Sequence, residues 1–137
     1  MTRTTQAYTR NTSLADAQPL PSRLVRLLYE ARWLAFADGA VWAGEPASGR
    51  VWKIDPITNS IAQKTKLHGW LSGLAVGGGS VWAPILPDGV VFKLSEEDLG
   101  IQASPASGAD PESVSFGDGH LWIANTASKT MSLLDDV

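Results

Sequence analysis

Three stretches of the chain carry one pattern of apolar, small and polar positions: LAFADGAVWAG (34–44), LAVGGGSVWAP (74–84) and VSFGDGHLWIAN (114–125). They align without gaps. Trp42, Trp82 and Trp122 recur at one fixed spacing, and Gly39, Gly79 and Gly119 recur at the same one. Leu34, Leu74 and Val114 share a position, as do Val41, Val81 and Leu121, and the small residues Ala35, Ala75 and Ser115. The match continues into GRVWKID (49–55), GVVFKLS (89–95) and KTMSLLD (129–135). A fixed period of ~40–45 residues marks four-stranded propeller blades.

Each repeat reads as four short strands. Leu34–Ala37 is the first, and Asp38-Gly39 supplies the positive-φ pair that a two-residue hairpin turn needs. Ala40–Ala43 is the second, with Trp42 at its centre, and residues 44–49 form a longer turn. Arg50–Asp55 alternates: Val51, Lys53 and Asp55 on one face, Trp52 and Ile54 on the other. A proline turn at 55–59 leads into a polar fourth strand, Ser60–Leu67, suited to a solvent edge. SEEDLG (95–100) replaces the proline turn in the second repeat. The expected fold is all-β: propeller blades of four antiparallel strands, roughly 2.5 to 3 of them, bounded at 31–70, 71–110 and 111–137. First strands line a central axis, where Ala35, Ala75 and Ser115 fit. The tryptophans fill the gaps between blades.

A closed propeller of at least four blades needs at least ~160 residues at this period. The chain of 137 residues is expected to be either a fragment of a larger propeller or a half-ring that a second copy completes. As a half-ring, symmetric closure removes the open sheet faces; as a fragment, the end blades expose apolar faces, with Trp33 and Trp122 expected on them. Residues 1–30 are a lead-in. Shifted by one period less a single position, TSLAD (12–16) aligns with VWKID (51–55) and SRLVRLL (22–28) with the fourth strand, so 22–28 reads as an outer strand. The spacing of Leu24, Leu27, Leu28 and Ala31 also fits an amphipathic helix, with Ser22 as its cap.

Composition narrows the function. Six Trp with 13 Gly and 8 Pro suit layered β-structure with many turns. A net charge of −3 with no basic run argues against nucleic acid. The absence of cysteine rules out disulfides and thiolate metal sites. No apolar run reaches a membrane span, and no signal peptide is visible, which makes the cytoplasm the default compartment.

The third repeat is similar to the YVTN/NHL type of propeller repeat. It carries Pro111, Val114, Phe116, Gly117, Gly119, Leu121, Trp122, Ile123, Ala124, Asn125, Ser128, Thr130, Met131 and Ser132; the first carries Ile54-Asp55-Pro56 and Thr58-Asn59. The resemblance covers roughly 31–137 and implies a scaffold for binding, signalling or catalysis. One enzyme family of this architecture, the virginiamycin B lyases, opens cyclic lactones with a metal-assisted His/Glu site. Its L-W-F-T-E repeats stand where this chain reads VWAGE, VWAPI and LWIAN, so Glu45 falls one place late and the later repeats lack the glutamate. The histidines are His68 and His120. A lactonase-type site would need inward carboxylates around a divalent cation, with Asp110, Glu112 and Asn125 the nearest candidates.

A ligand is expected at the mouth where blade-to-blade and second-to-third-strand loops gather: 44–49, 68–72, 84–89, 108–112 and 125–129. Those loops hold His68, Trp70, Asp88, Asp110, Glu112 and Asn125. The same Asp, Asn, Pro and Gly residues are also what turns require. The leading expectation is a non-enzymatic scaffold or binding module without a cofactor or metal site. Its partners are a second copy or the rest of a larger propeller, with a protein or small-molecule ligand. The alternative is a lyase or lactonase with a divalent cation, active only as a full ring.

Overall fold

Paired positive-φ residues turn the chain at the three places the pattern marks. Asp38 and Gly39 have φ of 50° and 77°, Gly78 and Gly79 62° and 79°, and Asp118 and Gly119 54° and 78°. This is the geometry of a hairpin turn whose twist matches that of its strands. The computed structural model describes residues 30–86 and 88–135. The strand-or-helix expectation for 22–33 therefore lies mostly outside the described residues.

Three antiparallel sheets follow in sequence. The first runs β1 (Trp33–Ala37), β2 (Ala40–Glu45), β3 (Arg50–Asp55), β4 (Ser60–Lys66), in that spatial order. In the second, β5 (Trp70–Leu71) and β6 (Ala75–Gly77) both pair with β7 (Ser80–Leu86), followed by β8 (Val90–Ser95) and β9 (Ile101–Ala103). The third is β10 (Pro111–Gly117), β11 (His120–Asn125) and β12 (Thr130–Asp135). Among the described residues there is no helix, and β12 pairs with β11 alone. The register repeats with the sequence. Ala35 lies opposite Trp42 and Trp42 opposite Lys53; Ala75, Trp82 and Lys93 repeat this, as do Ser115, Trp122 and Leu133. Even the outer irregularity recurs, at Lys53/Ile54 and again at Lys93/Leu94. The fold is an all-β array of propeller blades, with β6 lying against both β1 and β10.

Each sheet packs on the next through the second-strand tryptophan. Trp42 is fully buried in a cluster with Val51 of its own blade and Val81, Ala83, Ile85 and Leu94 of the next. Trp82 joins Leu121 and Ile123, and its ring stacks on Phe116 at 6.4 Å and 17°. Lys53 and Lys93 lie over these two rings, 5.8 and 5.2 Å from their centroids. Trp122 has no next blade among the described residues and is 43% exposed. Opposite it stands Leu133, where blades 1 and 2 have lysine.

One expectation is corrected. Trp33 does not lie on the open face of blade 1. It packs against the core between blades 1 and 2, and its Nε1–H donates to Leu71 O at 2.9 Å. Residues two apart on a strand share a face, so Trp33 follows Ala35 and Trp42. The open face instead carries Leu34 and Phe36, 72% and 70% exposed. Further out on that face Ala43 and Trp52 are buried, and they belong to neither core cluster.

The turn between second and third strands closes with a left-handed residue in every blade: Gly49 (φ 72°), Gly89 (φ 67°) and Lys129 (φ 56°). In blade 1 the chain leaving the outer strand crosses this turn, with Leu67 N–H donating to Gly49 O at 2.8 Å. A Cβ on Gly49 would come within 2.5 Å of Leu67 O. Lys129 holds the same conformation with a side chain. Lys129→Gly is expected to raise stability by about 0.5–1 kcal/mol in urea denaturation, because a non-glycine residue is strained there.

Candidate functional site

Strand direction sets which loops share a mouth. The turns after the second strands (44–49, 84–89, 125–129) and the blade-to-blade connections (67–72, 104–110) lie at the same end of the blades. The chain knits this end together by crossing hydrogen bonds. Leu71 N–H donates to Pro46 O at 2.9 Å, Ser107 N–H to Gly89 O at 2.8 Å and Thr126 N–H to Asp110 O at 2.9 Å.

The structure separates the six candidate residues into three groups. Trp70 and Glu112 come together on a shallow cleft of about 200 Å³, lined also by Trp33, Ser72 and Leu86. His68 and Asp88 are exposed on neighbouring loops outside that lining. Asp110 and Asn125 bind within blade 3. Asp110 sits at φ 52° and its carbonyl accepts from Thr126 N–H and Oγ1–H. Asn125 is 1% exposed beneath Gly108; its Nδ2 donates to Ser132 Oγ at 2.8 Å and Thr130 Oγ1 at 3.3 Å. A Cβ on Gly108 would lie 2.6 Å from that amide, so the chain passes directly over Asn125. Asn125 thus ties the turn to β12 through its Nδ2.

Ser72 and Trp33 line the cleft although neither is among the candidates the sequence pattern offers. Ser72 is buried, donating through N–H to Pro84 O at 3.0 Å and through Oγ–H to Pro111 O, which bridges blades 2 and 3. Trp33 was legible as an exception, since its repeat positions hold Gly73 and Ser113. The cleft has an aromatic floor and one carboxylate on its lining. At about 200 Å³ it falls below the ~300–1,000 Å³ of a typical small-molecule pocket.

The residues nearest a lyase-like arrangement are dispersed. Ser48 Oγ–H and Arg50 Nη1–H both donate to Glu45 Oε1, the latter at 3.2 Å. His68 lies at the loop mouth, whereas His120 opens β11 beside the Asp118-Gly119 turn at the other end, 2.8 Å from Asp135. No group of three metal-ligating side chains occurs among the described residues.

The opposite mouth holds a carboxyl pair between blades 1 and 2. Burial pushes the Glu96 carboxyl above its ordinary value. Asp38 raises it further through a hydrogen bond and its charge, and Lys53 partly opposes this. Lys53 Nζ–H also donates to Glu96 O at 2.7 Å. The folded state binds this proton more tightly than the unfolded chain does. Its stabilisation is therefore complete below the ordinary glutamate range and is lost as pH rises through the raised value. Glu96→Gln keeps a donor toward Asp38 without needing the proton. It is expected to flatten this part of the pH dependence and to stabilise the chain at neutral pH, as read by urea midpoints across pH 4–8.

Comparisons with solved structures agree on the architecture. BamB from Moraxella catarrhalis superposes with a TM-score of 0.64 at 19% identity, over 75% of this chain and 30% of that one. This chain has the β-propeller fold. Hydrazine synthase from Kuenenia stuttgartiensis gives 0.71 at 10% identity, over 83% and 35%; the Cps50 (Swd1) propeller domain of Myceliophteria thermophila gives 0.58 at 16%, over 71% and 32%. The chain thus spans about a third of the length of each. No family model matches it, and no curated protein matches it in sequence.

Proposed function

We propose that this chain is a non-enzymatic propeller scaffold, a partial ring whose binding mouth is completed when blade-like surfaces cover its two open ends. The observation that carries this reading is repeat equivalence at those ends. Leu34 and Phe36 hold the positions of Leu74 and Val76, and of Val114 and Phe116, which receive the preceding blade's tryptophan. Trp122 holds the position of Trp42 and Trp82. The two exposed faces are therefore the two halves of an interface that the chain already makes twice. Exposed patches of this kind mark association sites.

The motif around Trp122 supports placing the blades in the YVTN/NHL type. The loop mouth, with Trp70 and Glu112 on its cleft, is the ligand face, and ring closure would extend it beyond the small cleft of one chain. The engaged Glu45 and the separation of His68 from His120 favour binding over catalysis. Size-exclusion chromatography with light scattering tests the reading. Concentration-dependent association is expected; a chain that stays monomeric up to ~100 μM, well above ordinary interface affinities, would overturn it.

A further inference from the structure

We infer that the cleft at the loop end of the inner strands takes a quaternary ammonium group, held against the Trp33 and Trp70 indoles and beside the Glu112 carboxylate. The inference rests on the loop mouth being the ligand face, and it names the chemistry that face reads.

All three blades build the cleft. Trp33 opens β1 in blade 1, Trp70, Ser72 and Leu86 come from blade 2, and Glu112 comes from β10 in blade 3. Three of these residues depart from the repeat. Where blade 1 has Trp33, the other two have Gly73 and Ser113. Trp70 stands where the next connection has Asp110, and Glu112 where blades 1 and 2 have Arg32 and Ser72. Residues that every blade needs recur at the period, as Trp42, Trp82 and Trp122 do. Three departures that meet in one cleft are not demands of the blade.

Local geometry holds them there. The β10–β11 register shifts between Pro111 and Ser113, so Glu112 is the extra residue of a β-bulge, a device that re-aims a side chain. Buried Ser72 donates through Oγ–H to Pro111 O and so fixes the residue just before the bulge. The Glu112 carboxylate has no ion pair among the described residues. Trp70 is 47% exposed, although β5 anchors its backbone opposite Leu86.

The lining decides the sign and kind of ligand. No Lys, Arg or His side chain contributes to it. Trp33 Nε1–H and Ser72 Oγ–H are already donated, to Leu71 O and Pro111 O. An anion would meet a carboxylate with few donors to offset it. A cation gains from that carboxylate and from the indole rings. A primary ammonium brings three N–H donors, and Glu112 is the one charged acceptor on the lining, so losing its water is unfavourable. Methyl groups in place of those N–H groups need no acceptor and pack on Trp33, Trp70 and Leu86. A volume of about 200 Å³ suits a single head group rather than a whole drug-sized ligand.

The test titrates choline into the full chain and follows the tryptophan indole N–H signals by NMR. Choline is expected to bind at least ~10-fold more tightly than its neutral isostere, in which a tert-butyl group replaces trimethylammonium, and than ethanolamine. Equal affinity for choline and either comparison compound would overturn the inference. Trp70→Leu is expected to weaken choline binding at least ~10-fold and Glu112→Gln about 3-fold. Both side chains are exposed, so urea midpoints should stay unchanged. No indole response, or one undiminished in Trp70→Leu, would overturn the inference. A short glycine–serine peptide carrying one trimethyl-lysine separates the sources. Binding at least ~10-fold tighter than choline upholds the inference with the group carried on a protein chain, and binding no tighter upholds it with a free solute. Light scattering on the same samples keeps the two readings apart. Choline binding by a chain that stays monomeric would overturn the partial ring alone, and association without choline binding would overturn this inference alone.

Discussion

Trp42→Ala is expected to lower stability by about 3–5 kcal/mol, whereas Trp122→Ala in the monomer costs under about 1 kcal/mol. The two residues occupy the same repeat position and the same register, opposite Ala35 and Ser115. They differ in what lies beyond them. Trp42 is fully buried, walled on its own blade by Val51 and on the next by Val81, Ala83 and Leu94. Truncation there leaves a cavity between two sheets that are held in place by their other strands, so relaxation is limited. Its indole N–H has no hydrogen-bond partner, so the loss is one of packing and of the Lys53 contact. Trp122 is 43% exposed and faces no described blade. Urea denaturation at protein concentrations too low for association measures both. Equal costs would contradict the blade-face assignment. A loss of this size is a large fraction of the ~5–15 kcal/mol that stabilises a domain, so Trp42→Phe is the practical companion variant.

Much of this architecture was legible because it is local and repeated. The turn pairs Asp38-Gly39 and Asp118-Gly119 need positive φ, and the alternation of Val51, Lys53 and Asp55 against Trp52 and Ile54 fixes the faces of β3. The error at Trp33 was one of parity. Counting by two from Ala35 turns it toward blade 2, away from Leu34 and Phe36. The candidate site was less legible, for a physical reason. Asn125 and Asp110 have loop-residue identities, but Asn125 is covered by the connection from blade 2 at Gly108, and Asp110 in that same connection accepts from Thr126. Ser72 looks like linker until the Pro84 and Pro111 carbonyls meet it. Long-range crossings of this kind leave no periodic trace.

Phe36→Asp and Trp122→Asp are each expected to weaken self-association by at least ~100-fold, since either buries an unpaired carboxylate in an apolar contact. Both positions are exposed in the single chain, so the monomer's stability should move little. The internal interface shows what is at stake: Phe116, the equivalent of Phe36, stacks on Trp82 at 6.4 Å. Mixing the two variants separates the ways the faces can meet. If Trp122 of one copy packs on Phe36 of the next, a ring contains two such contacts. A mixed pair then keeps one of them intact, between the unaltered Trp122 face of the Phe36→Asp protein and the unaltered Phe36 face of the other. Association should return in part, and only in the mixture. If like faces met instead, the Trp122→Asp protein would still pair alone through Phe36, and the ring would not close. Light scattering of each variant and of the mixture thus reads the orientation of the contact as well as its existence.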